Sequence, residues 1–320
     1  MLETITNTFT KKPFKERLKD TGFLLKHSFT VIGKDKDILK PAYRMLFYSI
    51  LTTTLFFVAI FLFFTKYFPI GILILFVLLF FFWPFGYFFY IRQKADQSWI
   101  VYNTITGKDI SHKDAHMHTK KEKSRLRFVA FIDFLMGRVK TANNHQQKGF
   151  LAFIVRLALS FLIEIWDLLS HYMLPAIVIE QKPLKEIIPK IKALKSNVPA
   201  TLVGVFGIDF VGNVVKGIAF TFYLIFFILS IGLGYLLSFV MTSTIFTFPL
   251  LNIQISWVPV IIMLYIVILI SHIIRVFVES TKVIYFTIFY TSIMRPKEIE
   301  ASMREELTHY LKMEETSKKS

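Results

Sequence analysis

Polar and apolar residues in this chain come in long blocks rather than in alternation. Leu55–Phe64 and Leu73–Tyr90 carry no charge at all. A bilayer core ~30 Å thick takes about 20 helical residues, so blocks of this kind predict membrane-spanning helices. Four spans follow, over 45–65, 70–91, 220–247 and 257–290. The second is expected to kink at Pro84 and Gly86. The block Thr201–Thr247 is too long for one crossing and holds only Asp209 and Lys216 as charges. Its early glycines, 204 to 217, suggest close helix contact, and a division near Gly217 is expected, the first part being a partial or full span. Gly232 and Gly234 are expected to lie against another helix. Residues 248–256, with Pro249 and Asn252, read as an external loop.

The segments between the blocks are basic. Residues 1–44 hold ten Lys or Arg, and Leu18, Phe23, Leu24, Leu25, Phe29 and Ile32 recur there at helical spacing. This predicts an amphipathic helix on the membrane surface or on the protein's own cytoplasmic face. Residues 92–148 hold twelve Lys or Arg against five Asp or Glu and read as a basic cytoplasmic loop. His112, His116 and His118 lie within it. Histidines four apart on a helix can share a metal, but no third ligand stands at a recognised spacing, so no metal or other cofactor is expected. Arg125–Lys140 is an apolar core bracketed by basic residues and predicts an interfacial helix. The tail, 294–320, mixes both charges over a pattern too short for a coiled coil.

Two hydrophobic segments carry charge. His272, Arg275, Glu279 and Lys282 follow at spacings of three, four and three, on one helical face. Arg156, Ser160, Glu164, Asp167 and His171 do the same inside 150–179. Ionisable groups at membrane depth face protein or a water-filled path. Either Arg275 and Lys282 pair with Glu164 and Asp167 to hold the bundle in register, or these groups, with Asp209 and Lys216, flank a polar path. At 1.5 Å per residue the first stripe lies about 24–38 Å beyond Trp257, which suits one wall of a polar chamber in the inner leaflet. Topology is left with two solutions. Residues 180–199 carry five Lys and three Pro. Full crossing by 150–179 puts them outside, against the positive-inside rule, whereas entry and return on the cytoplasmic side satisfies it. The re-entrant solution is preferred. Both leave the N- and C-termini cytoplasmic.

Composition supports an integral membrane protein. The 320 residues are 54% hydrophobic, with 36 Phe and a mean hydropathy of +0.54. The net charge of +16 sits between hydrophobic blocks, where it serves topology and anionic headgroups rather than nucleic acid. There is no cysteine, which excludes disulfides, thiolate metal sites and a Cys nucleophile. The first 40 residues lack a short apolar core, so no cleavable signal peptide is expected. Dinucleotide, P-loop, nucleophile-elbow and zinc-protease motifs are absent, and no nucleophile stands beside the stripes. The chain is expected not to be an enzyme.

Two runs carry a resemblance. LLKHSFTVIGKDKDILKPAYRMLFYSIL (24–51) and WDLLSHYMLPAIVIEQKPLKEIIPKIKALKSNVPATLVGVFGI (166–208) resemble the hallmarks of an uncharacterised bacterial membrane family, the domain of unknown function 6159. The marks are Pro175, Glu180, Lys192, Ser196 and Gly204. Where that family has Trp, this chain has Val198-Pro199, which implies an earlier end to the basic helix. The resemblance implies a membrane fold and no activity. The layout is also similar to that of sulfate-permease-like proteins with half-penetrating hairpins. The expectation is thus an all-α integral membrane protein of the cell (inner) membrane. It is a single membrane domain: N-terminal segment 1–44, hairpin 45–91, loop 92–148, polar-striped core 149–293 and tail. Its expected role is a channel or permeation pathway for a small, possibly anionic, solute, working as a homo-oligomer. The alternative is a membrane scaffold or lipid-handling assembly factor.

Overall fold

The computed structural model describes residues 31–63, 65–143, 159, 166, 170–193, 198–239, 247–250, 253–302 and 304. The fold is all-helical, with one short hairpin of strands. In chain order the elements are α1 (Lys40–Phe63), α2 (Phe68–Ile105), α3 (His112–Lys121), α4 (Lys123–Asn143), α5 (170–180), α6 (Leu184–Ala193), α7 (Val198–Ser238), β1 (Thr247–Leu250), β2 (Ile253–Ser256) and α8 (Val258–Met294). Four helical stretches, Lys36–Phe63, Phe68–Ile105, Gly212–Ser238 and Val258–Met294, are long and apolar enough to cross a membrane. Each overlaps one of the four blocks read from the sequence. The described residues form two compact units: an apolar one, Met45–Gly86 with Phe210–Val278, and a mixed one, Met1–Arg44, Tyr87–Asp209 and Glu279–Ser320.

The apolar unit inverts a soluble protein. Phe47, Phe61, Leu73, Phe81, Ile228, Ile266 and Phe277 are exposed, while the buried positions include Ser49, Thr53, Ala59, Gly71 and Ser230. Small residues at helix contacts and bulky ones outside are what a bilayer selects, since lipid offers apolar side chains no reason to hide. These helices meet the bilayer. The turn between α1 and α2 is tight. Thr65 N–H reaches the Leu62 carbonyl, and a Cβ on Gly71 would stand 2.8 Å from the Ala59 oxygen and 2.9 Å from the Phe63 nitrogen. Only glycine lets the two backbones approach so closely.

Four expectations are corrected here. The second apolar helix does not end near 91; α2 runs on to Ile105. It passes Pro84 by a π-helical turn, Leu78–Phe82, in which Trp83 N–H reaches the Leu78 carbonyl five residues back. Proline has no N–H to give the preceding turn, and a wider turn is one way to absorb that. The Tyr48 hydroxyl donates to the Phe82 carbonyl there, and its ring occupies the space beside Gly86. Second, α7 is one helix of 41 residues, about 61 Å long. It does not divide at Gly217, which has no neighbour within 4 Å and so nothing to bend around. Third, the segment after it is not a plain loop. It contains an antiparallel hairpin pairing Thr247 with Ser256 and Leu250 with Ile253. Gly234 lies against that hairpin rather than a helix, its Cβ position 2.3 Å from the Ser256 carbonyl oxygen, and Gly232 touches nothing within 4 Å. Fourth, the histidine-bearing part of 92–148 is helical. α3 opens with a capping box, Ser111 and Asp114 each bonding the other's backbone N–H, and α4 covers the expected interfacial helix.

The mixed unit is built around the end of α8. Every side chain from Ser280 to Ser292 is buried. Ile91, Ala95 and Ile100 of α2 and Tyr172–Ile179 of α5 are buried in the same unit. Ser98 and Thr287 share a 2.8 Å hydrogen bond, and the Phe286 ring packs against Tyr172 and His171. The apolar run after Glu279 is therefore protein core. The part of α8 with exposed apolar side chains, Val258–Val278, is 21 residues, about 31 Å, one bilayer core.

Candidate functional site: charged clusters on helices α2 and α8

The first stripe does not act as one row. Its two leading residues belong to the apolar unit. The Arg275 guanidinium donates to His272 Nδ1 at 2.8 Å. That leaves the proton on Nε2, which donates to Thr53 Oγ1 at 2.9 Å. Thr54 and Tyr265 form a second α1–α8 bond at 2.8 Å. These contacts lock α8 to α1.

The two later residues belong to the mixed unit. Lys94 Nζ donates to Glu279 Oε2 at 2.6 Å, and the two side chains keep 19% and 30% of their exposure. Lys282 is buried, and together with His171 it acts electrostatically on Glu279. Asp133 of α4 joins the same group. The Trp166 indole donates to its Oδ1 at 2.7 Å. Burial holds the Asp133 carboxyl above its usual range, opposed by that indole, Lys94 and His171 and reinforced by Glu279. Among the described residues, five ionisable side chains from four elements thus form one cluster: Lys94, Asp133, His171, Glu279 and Lys282.

A second cluster lies further along α2. Asp96 is fully buried. His116 Nδ1 donates to its Oδ2 at 2.9 Å and the Thr119 hydroxyl donates to Oδ1. His112 Nε2 lies 3.7 Å from the same carboxylate, buried and without a hydrogen bond. Burial first, then the charge of Arg44, lowers the His112 pKa, with Asp96 and Asp37 working against that. His118 is likewise lowered by burial; it stacks on Trp99 and donates to the Val178 carbonyl at 3.0 Å. The histidines are thus held in packed structure, and the solvated-loop reading is corrected. Among the described residues no three His, Asp or Glu side chains are placed to hold a metal.

A third cluster ties α5 to the end of α8. Arg295 Nε and the Tyr290 hydroxyl each donate to Glu180 Oε1 at 3.2 Å, and Arg295 also reaches Glu298 at 3.1 Å. Gln181, at φ 52°, turns the chain out of α5 just after Glu180.

Of the expected site residues, the structure brings together Glu279, Lys282 and His171, and separately His272 with Arg275. Lys216 is exposed on α7. Asp209 lies on α7, with its side chain outside the described residues, as are Arg156, Glu164 and Asp167, residues 1–30 of the N-terminal amphipathic segment and the tail beyond 304. Lys94, Asp96 and Asp133 went unread. Lys94 and Asp96 sit just past the point where the apolar block fades, yet Ile91, Ala95, Tyr102 and Ile105 carry the helical period on through them. That continuity was the available signal.

The fold and its apolar unit define a class: a multi-pass membrane protein with a polar, charge-bearing unit of its own. No family model, curated protein or solved structure matches the chain.

Proposed function

We propose that the chain is a non-enzymatic membrane scaffold or lipid-handling assembly factor, and that its ionisable stripes hold helices in register. The observation that carries this reading is the use of the stripe. Glu279 is spent on Lys94 and Arg275 on His272, so the charges serve packing. Within the described apolar unit, the hydroxyls of Thr53, Thr54 and Tyr265 also bond to one another's helices.

The second reading is a permeation pathway for a small ion or solute. It is supported by the gathering of five ionisable groups round a Lys94–Glu279 pair that retains some exposure. Flux from the purified protein in liposomes separates the two. The scaffold reading expects no flux above empty liposomes, for wild type or Glu279→Gln. Flux that Glu279→Gln alters while the variant stays folded replaces it with the transport reading.

We further propose the cell membrane with cytoplasmic termini, re-entry of 150–179, a homo-oligomeric state and kinship with the domain of unknown function 6159, whose Glu180 mark is here clamped by Arg295 and Tyr290. Lys185 is exposed, so Lys185→Cys, in a chain without other cysteine, tests topology. Labelling by an impermeant thiol reagent from outside intact cells overturns the re-entrant arrangement. Light scattering of the purified protein reads the oligomer.

A further inference from the structure

In the mixed unit, six large apolar side chains are exposed among the described residues: Tyr43, Phe88, Met117, Phe128, Phe131 and Leu135. Three of the six stand on α4. Phe128 and Phe131 are each 51% exposed and Leu135 is 43% exposed. At about 100° per residue they fall within an arc of about 60°. Ser124 lies inside that arc. Next to it on the same side come Arg138, Arg127 and Lys123, all exposed. The opposite face is buried through Leu126, Val129 and Ala130. α4 is therefore amphipathic twice over: one apolar stripe faces its own unit, and a second, with a basic shoulder, faces out.

We propose that this outer stripe of α4 lies in the interface of an anionic bilayer. Phe128, Phe131 and Leu135 enter the acyl boundary, and Lys123, Arg127 and Arg138 meet lipid phosphates. Two stacked turns of exposed Phe and Leu are costly in water, in proportion to the apolar area they leave uncovered. A helix face of this make-up, with long basic side chains beside aromatic ones, matches an in-plane interfacial helix. The charge names the occupant. Three cations in a row and no carboxylate on the exposed face fit a surface of anionic headgroups, which attracts Lys and Arg within a Debye length of it. The protein already resides in a bilayer, so the surface is always at hand. This inference rests on membrane residence and not on the scaffold reading, and its failure leaves that reading standing.

The chain has no cysteine, so single spin labels report cleanly. Phe131→Cys and Met117→Cys are labelled in the full-length protein and reconstituted into vesicles of phosphatidylcholine with phosphatidylglycerol. Collisional access is then measured to oxygen, which partitions into lipid, and to a water-soluble nickel chelate. The expected result is a severalfold higher oxygen-to-nickel ratio at 131 than at 117. The ratio at 131 falls in pure phosphatidylcholine and in the Lys123→Gln, Arg127→Gln, Arg138→Gln variant. A label at 131 as open to nickel as that at 117 means a solvated face and overturns the proposal. A label shielded from both reagents means protein cover, such as a second copy, and also overturns it. A lipid-like ratio at 131 that ignores headgroup charge and the Gln substitutions overturns the anionic selectivity.

Discussion

Removing the carboxylate of Glu279 and removing the ammonium of Lys94 break the same 2.6 Å bond, yet the two substitutions should differ in cost. Exposed ion pairs contribute roughly 0.2–1 kcal/mol, and breaking a buried one costs about 3–5 kcal/mol because a charge is left unpaired. With 19% and 30% of the side chains still exposed, this pair falls between. What decides the order is the company. Glu279 stands among Lys94, Lys282 and His171. Glu279→Gln therefore removes the carboxylate on which both lysines act, and Asp133, the other carboxylate of the cluster among the described residues, is held toward its neutral form by burial. Lys94→Gln leaves Glu279 with Lys282 as a substitute. The expected losses are about 2–3 kcal/mol for Glu279→Gln and about 1–2 kcal/mol for Lys94→Gln. The double variant should lose less than the sum of the two. Unfolding by a harsh detergent titrated into mild micelles, followed by tryptophan fluorescence, reads these differences. The reasoning fails if Lys94→Gln costs as much as Glu279→Gln, or if the losses simply add.

Three further outcomes are expected. Gly71→Ala, which forces a Cβ to within 2.8 Å of the Ala59 carbonyl oxygen, should cost about 1–3 kcal/mol, while Gly217→Ala, with open space and a helical backbone, should be neutral or gain up to about 1 kcal/mol; equal effects in the same detergent titration would refute the packing argument. Tyr48→Phe removes the bond to the π-turn carbonyl of Phe82 and should cost about 1 kcal/mol, with faster hydrogen exchange of the amides around Trp83 as the local signature. For the histidines the sign is set by burial. His112 and His118 have pKa values below the usual ~6.5, so the stability they confer is present above that value and lost as pH falls below it. Stability should decline from pH 7.5 to 5.5, and His112→Gln should flatten the decline; an unchanged slope in the variant would count against the burial of an uncharged His112.

Which parts could be read in advance follows from which forces are local. The four apolar blocks were legible because membrane thickness sets the length of an apolar run, and nothing else in the chain needs to be known. Helix ends were less so. Hydropathy falls at Ile91, but α2 continues because Gln93, Asp96, Gln97 and Asn103 are buried by protein, a tertiary fact that no window on the sequence contains. The same holds for Glu279, whose partner Lys94 lies 185 positions away. The stripe on α8 was visible as a face, but a face shows only which residues turn together. What each residue meets is decided by the neighbour, and here His272 and Glu279 meet different ones. The histidines of α3 misled in the opposite direction, since a polar, basic stretch reads as solvated until Asp96 is seen beneath it.

The split character of α8 has a consequence for biosynthesis. A machinery that sorts nascent segments by hydropathy meets 37 residues here, of which about 20 suffice to cross. Val258–Val278 is long enough to cross by itself, and the run after Glu279 is shorter and carries Ser280, Thr281, Thr287, Thr291 and Ser292; only the first carries the exposed apolar side chains that lipid would cover. Glu279 and Lys282 sharpen that difference, because an ionised residue near the centre of a candidate span makes its insertion costlier, and a span shifted toward Met294 would bring both to its centre. The two residues that later join the ionisable cluster around Lys94 thus first act as a stop mark. In that way they help to set the translational register of the helix in the bilayer.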